Sequence, residues 1–122
     1  FDKSYEPGGS GKMSKSADNK EYTVDTLLKA VAQYSDNVAT NILGYYVAHQ
    51  YDDDFNNTIT AVAGTPIDMK ERNMSAKTAA NLMEAIYNQN GEIISYLSST
   101  DFDSTRISKD IDVKVAHKIG DA

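Results

Sequence analysis

Two short groups of polar residues carry the chemistry of this chain. Ser35, Asp36 and Asn37 follow one another and supply a hydroxyl, a carboxylate and an amide. Lys118 lies near the C-terminus, just before Gly120, and supplies an ammonium. A hydroxyl both donates and accepts hydrogen bonds, a carboxylate accepts them, and an ammonium donates them and carries charge. These groups are typical of half of a proton-transferring catalytic site, provided that the fold brings residue 118 to residue 35.

The same residues also have a structural interpretation. One apolar helical pattern runs into the tripeptide and a second leaves it, and Ser, Asp and Asn are preferred at helix N-termini. Ser35-Asp36-Asn37 alone would therefore fit a helix cap. Lys118 alone would fit an exposed lysine at the end of a strand, and His117 is interpreted as a packing or surface residue.

Five helices are predicted around the tripeptide, because apolar residues recur with helical spacing. Thr23 and Ser75 are good N-caps, whereas Gly64 and the pair Asn90-Gly91 are typical helix ends. The predicted helices cover residues 23–33, 38–50, 53–63, 75–90 and 92–97, followed by a last turn at 102–107. Alternation of apolar and polar residues predicts one strand at 113–117.

The chain thus divides into three segments: an irregular Gly-rich arm (1–20), a helical subdomain (21–110) and a strand segment (111–122). The predicted fold is mainly α, a compact multi-helix unit with one C-terminal strand. A lone strand cannot satisfy its backbone groups, and the chain begins with Phe1, so we expect a longer parent protein. Tyr45, Tyr46 and Tyr51 are expected to pack in the core.

Composition excludes several classes of function. The 122 residues suffice for one domain, and a net charge of −6 argues against nucleic-acid binding, which needs a basic surface. No apolar run approaches the roughly 20 residues that cross a bilayer, and we find no signal-peptide pattern. The chain has no cysteine, which excludes disulfides and thiolate ligands. We expect neither a metal nor a cofactor.

Taken together, the motifs resemble those of the class A β-lactamase-like, penicillin-recognising serine hydrolases, and the resemblance covers nearly the whole chain. That family combines a Ser-x-x-Lys nucleophile motif with a Ser-Asp-Asn motif and a Lys-Thr-Gly motif. The Gly-rich arm also looks like a loop found in Gram-positive members. The matching segments, in order, are Gly8-Gly9-Ser10-Gly11, Tyr22-Thr23-Val24, Ser35-Asp36-Asn37, Ala39-Thr40-Asn41 and Val115-Ala116-His117-Lys118-Ile119-Gly120.

The resemblance implies a role for each site residue. The Ser35 hydroxyl would relay a proton to the leaving nitrogen, and Lys118 would place positive charge near the substrate and the nucleophile. Asn37 would hold the side-chain carbonyl of the substrate. Asp36 would be structural, buried and accepting backbone hydrogen bonds, and Gly120 would let the substrate lie close to the chain.

Three departures qualify the resemblance. No serine in the chain is followed three positions later by lysine, so the acylated serine is expected on an absent segment. Ile119 replaces the family's threonine and removes a hydroxyl that could bond a substrate carboxylate. Glu71 lacks the spacing of the family's deacylating glutamate, so we do not assign it as the base.

We therefore predict the helical subdomain of a serine acyl hydrolase acting on β-lactams or D-alanyl peptidoglycan stems, outside the cytoplasm or on the cell surface of a Gram-positive type. Without its nucleophile the chain alone would be inactive, and exposed apolar surface would drive dimerisation. Two alternatives stay open. One is a pseudoenzyme that binds a ligand or cell wall on the same fold, and the other is an unrelated helical interaction domain.

Overall fold

A computed structural model of the protein describes residues 11–13, 20–50, 52–67 and 73–120. Within them the chain is mainly helical. The helices are α1 (Val24–Tyr34), α2 (Asn37–Gln50), α3 (Asp52–Ala63), α4 (Ala76–Gln89) and α5 (Glu92–Leu97). All five predicted helices are present, with ends that differ by a residue or two from the predicted ones.

Local capping explains where these helices begin and end. The Thr23 side chain accepts a hydrogen bond from the Thr26 backbone, and Ser75 caps α4 in the same way, as predicted. Gly64 follows α3 with a φ of 75°, and Asn90 follows α4 with a φ of 50°. Both residues adopt the left-handed conformation that commonly stops a helix.

Each helix packs on two others. α1 packs on α2 and α5, α3 packs on α2 and α4, and α4 also packs on α5. Leu27 and Ala30 of α1 meet Ala39 of α2 in a buried cluster. This cluster joins the helices on either side of Ser35 and Asp36, so burial of its apolar surface holds the two helices together.

Two sequence predictions about packing are wrong. Tyr45 and Tyr46 of α2 are 53% and 39% exposed, not core residues, and Tyr51 lies outside the described residues. Tyr45 instead stacks on His49 at 3.8 Å between ring centroids. A tyrosine carries a polar hydroxyl on an apolar ring, so helical spacing alone does not decide whether it is buried.

The predicted C-terminal strand is also not formed between residues 111 and 120. Residues 101–110 form successive turns, and the following segment is irregular. Its backbone is tied to the helices by the N–H of His117, which donates to the Leu97 carbonyl at 3.0 Å. A strand needs a ladder of such bonds with a neighbouring strand, and the described residues supply no such neighbour.

The surface of the helical unit carries exposed large apolar side chains. They are Val24, Tyr45, Tyr46, Val62, Met74, Tyr87, Ile107, Ile111 and Val113. Dimerisation through such surface stays a prediction. No helix in the described part of the chain is long and apolar enough to cross a membrane.

Candidate active site at the α1–α2 junction

Ser35 lies where the chain turns from α1 into α2. Its backbone has a φ of 52° and a ψ of 43°, a left-handed conformation that is uncommon for a residue with a side chain. The N–H groups of Ser35 and Asp36 both donate to the Ala30 carbonyl, which closes the end of α1. The left-handed conformation of Ser35 ends α1 in the same way that Asn90 ends α4.

Asp36 connects the two helices and the arm at this junction through its buried carboxylate. It is fully buried, and its Oδ1 accepts a hydrogen bond from the Ala39 N–H at 3.0 Å, which makes it the N-cap of α2. Its Oδ2 accepts a second bond from the Met13 N–H at 2.7 Å. One carboxylate therefore starts a helix and fastens residues 11–13 of the arm.

Gly11 meets a steric requirement beside this carboxylate. Its φ is 106°, and a Cβ built on it would overlap Asp36. Any larger residue would therefore push the arm away from the junction. Sequence reasoning interpreted this glycine only as part of an irregular arm, because nothing local indicates which atoms approach it.

Lys118 lies directly against Ser35. Its Nζ donates to Ser35 Oγ at 2.5 Å, across 83 positions in the sequence, and to the Ile119 carbonyl at 2.7 Å. The two residues therefore converge, which is the condition that the catalytic interpretation had to meet. Because the ammonium occupies a lone pair of Ser35 Oγ, the hydroxyl hydrogen can point to another acceptor.

A second polar cluster, centred on His117, holds the segment before Lys118. His117 is 8% exposed, and its Nε2 lies 2.8 Å from Asp103 Oδ1 and 3.2 Å from Thr100 Oγ1. The hydrogen bonds that Asp103 accepts, first from His117 and then from Thr100, lower the pKa of Asp103 below its ordinary value. Ser108 Oγ is 3.4 Å from the same nitrogen.

This cluster is not a second nucleophile site. In a catalytic triad the acid and the hydroxyl bond opposite nitrogens of the imidazole, whereas Asp103 and Ser108 here share Nε2. From the sequence, His117 is expected to be a packing or surface residue, and these partners are not predicted. No sequence signal joins residues 100, 103, 108 and 117, since turns bring them together.

The remaining site residues are accessible. Asn37 is exposed at the start of α2, and Ile119 is half-buried. A Cβ built on Gly120 would meet no heavy atom within 4 Å, so there is open space beside it. The substrate contacts of Asn37 and Gly120 stay predictions. Glu71 lies outside the described residues, within which no group of His, Cys, Asp or Glu side chains could hold a metal ion.

A helical unit that presents Ser-Asp-Asn to the lysine of a Lys-x-Gly segment is the arrangement of the class A β-lactamase-like serine hydrolases. A model of the beta-lactamase enzyme family (Beta-lactamase2) matches residues 1–122, and the chain belongs to this family. The resemblance inferred from the motifs is thereby confirmed. No curated protein and no solved structure gives a significant match.

Proposed function

We propose that this chain is the Ser-Asp-Asn and Lys-x-Gly part of a serine acyl hydrolase that acts on β-lactams or on D-alanyl ends of peptidoglycan stems. One observation carries the proposal: the hydrogen bond from Lys118 Nζ to Ser35 Oγ. It brings a proton-carrying hydroxyl and a fixed positive charge to one point at the end of α1. Family membership supports this proposal over the alternative of an unrelated helical module.

The chemistry follows from the two side chains. When a serine nucleophile attacks the acyl carbon, the leaving nitrogen must gain a proton. Ser35 would donate its hydroxyl hydrogen to that nitrogen and recover a proton from the attacking side, while Lys118 stabilises the negative charge that develops nearby. Asn37 would bond the substrate's side-chain carbonyl, and the space beside Gly120 would admit the substrate backbone.

The nucleophile itself is proposed to lie outside these 122 residues, because they contain no Ser-x-x-Lys sequence. The test is covalent labelling of the complete protein with a fluorescent penicillin, followed by mass spectrometry of the adduct. We expect one adduct, on a serine of a Ser-x-x-Lys motif. A complete protein that is folded but forms no adduct would contradict the proposal and favour a ligand- or wall-binding pseudoenzyme.

Matched variants test the two assigned residues. Ser35→Ala should slow labelling by about 10²-fold or more, the usual contribution of a proton-transfer group. Lys118→Ala should slow it by about 10²-fold or more as well, because it removes a group that stabilises developing charge. Ser104→Ala and Lys114→Ala are the controls, since both residues are exposed and Lys114 lies on the same segment as Lys118. Equal labelling of Ser35→Ala and its control would remove Ser35 from the mechanism.

The lifetime of the adduct separates hydrolysis from transpeptidase-like function. Fast antibiotic hydrolysis by the family needs a deacylating glutamate, and Glu71 lacks the expected spacing. We therefore propose slow deacylation, with an adduct that persists after free penicillin is removed. Rapid loss of the adduct with steady release of hydrolysed penicillin would instead indicate a β-lactamase. Location outside the cytoplasm is part of this proposal, since peptidoglycan lies there.

A further inference from the structure

The backbone of His117 fastens the C-terminal segment immediately before Lys118. Its N–H donates to the Leu97 carbonyl at the end of α5, at 3.0 Å. A backbone bond at residue 117 restricts the position of the next Cα. A second attachment at the same residue would also restrict the direction in which the Lys118 side chain leaves the segment.

The His117 side chain supplies that second attachment. The lowered pKa of Asp103 keeps its carboxylate ionised at neutral pH, and an ionised carboxylate only accepts hydrogen bonds. His117 Nε2, 2.8 Å away, must therefore carry a hydrogen and donate it. Thr100 Oγ1 donates to the same Asp103 oxygen at 2.9 Å, so the carboxylate is held from two sides.

The turn segment that holds Asp103 is fastened in turn to α1. The Asp101 N–H donates to the Gln33 carbonyl at 3.0 Å, close to Ser35 in sequence. A closed path of hydrogen bonds thus runs from Gln33 through the turn to His117 and Lys118, and back to Ser35. The end of α1, which carries Ser35, and the segment that carries Lys118 are therefore both hydrogen-bonded to the same turn.

We propose that His117 is a positioning residue, which holds Lys118 on Ser35 through its Nε2–H bond to Asp103. With a hydrogen already on Nε2, this nitrogen cannot accept a proton, so His117 is not a general base through that atom. The expected change in acylation rate rests on the proposed function, whereas the expected change in the position of Lys118 rests on the geometry alone.

The kinetic test uses the complete protein and the rate of penicillin acylation at varied concentration. His117→Leu fills the space but removes the donor, so the acylation rate constant should fall about tenfold or more, as misplacement of a reacting group does. The half-saturating concentration should change much less. His117→Gln, whose amide can donate from a similar position, should restore the rate constant to within about threefold of the parent.

Controls separate positioning from general structural support. Ser104→Ala, at an exposed position of the same turn, should acylate like the unsubstituted protein. Asp103→Ala removes the acceptor from a side chain that is 43% exposed, so it should fold while lowering the rate constant as His117→Leu does. The inference would be overturned if a folded His117→Leu or Asp103→Ala variant acylated as fast as the unsubstituted protein. It would also be overturned if a folded His117→Gln variant were as slow as His117→Leu.

A structural readout keeps this test apart from the proposed function. Proton NMR contacts between the Lys118 ε-methylene and the Ser35 β-methylene should be present in the parent and in His117→Gln, and lost in His117→Leu or Asp103→Ala. If the parent shows these contacts but no penicillin adduct, the proposed function fails while the positioning inference stands. Contacts that persist unchanged in both donor- and acceptor-deleted variants would refute the inference, whatever the activity.

Discussion

Replacing Asp36 with alanine should destabilise the protein more than any other single polar substitution at the α1–α2 junction. Asp36 is fully buried, and its carboxylate accepts from two backbone N–H groups, those of Ala39 and Met13. Hydrogen bonds to a charged group contribute about 1.5–3 kcal/mol each. Their loss gives about 3 kcal/mol at the low end, which is the end we use because the Met13 bond is only partly buried.

That cost is large against the total stability of a domain, about 5–15 kcal/mol. The substitution Asp36→Asn should cost about half as much, since an amide keeps one accepting oxygen but turns an NH₂ group toward the other donor. Thr23→Ala provides a scale, because it removes one exposed cap bond at a cost of about 1 kcal/mol. Asp112→Ala, at an exposed position, should change stability by less than about 0.5 kcal/mol.

Urea unfolding of the complete protein, followed by far-ultraviolet circular dichroism, measures these differences as shifts in midpoint at constant slope. The order of destabilisation should be Asp36→Ala, Asp36→Asn, Thr23→Ala and Asp112→Ala. An Asp36→Ala variant no less stable than Thr23→Ala would refute the reasoning, because a buried double acceptor would then contribute no more than one exposed cap.

A double-mutant cycle with Gly11 tests whether Asp36 holds the arm. Gly11→Ala alone introduces a Cβ that overlaps Asp36, at a residue whose φ is 106°, and should destabilise by about 1–2 kcal/mol or more. Without the carboxylate the arm can move away, so the same substitution should cost little in the Asp36→Ala background. The loss of stability in the double variant should therefore be about 1 kcal/mol smaller than the sum of the two single losses. If the two losses simply add, contacts other than Asp36 hold the arm.

Two pH-dependent predictions follow from side-chain hydrogen bonds. The bonds from His117 and then Thr100 lower the folded-state pKa of Asp103, so the stability it contributes is present above about pH 4 and is lost as the pH falls through the folded value. Asp103→Asn should therefore lose less stability on acidification than the parent, and parallel curves of melting temperature against pH would contradict this. The bond to Asp25 raises the pKa of Tyr96 to about 12, so its contribution is present below about pH 10 and is lost as the pH rises through about 12. Carbon NMR titration of the Tyr96 ring should show that midpoint, with a fall toward 10 in Asp25→Asn and no change if the bond is absent in solution.

Local sequence determined the helices and their ends. Thr23 and Ser75 begin helices, and Gly64 and Asn90 follow helix ends, because a cap is formed between residues three or four positions apart. The order of the Ser-Asp-Asn and Lys-x-Gly motifs was sufficient to identify the family. The apolar spacing around them was sufficient to place the tripeptide between two helices. The caps and the apolar spacing are signals between residues a few positions apart, so short-range geometry fixes their meaning.

The tertiary structure decided everything that depends on distant partners. The sequence could not show that Asp36 would hold Met13, that a Gly11 Cβ would overlap the same residue, or that His117 would lie against Asp103. The predicted strand is not formed for the same reason. Alternation of apolar and polar residues is a property of one strand, whereas a ladder of backbone hydrogen bonds needs two. Above all, the sequence named Ser35 and Lys118 separately, and the fold placed their side chains in contact. A sequence motif shows which chemical groups are present. Where those groups meet is determined by the packing of α1 against α2 and α5 and by the hydrogen bonds of the 100–117 segment.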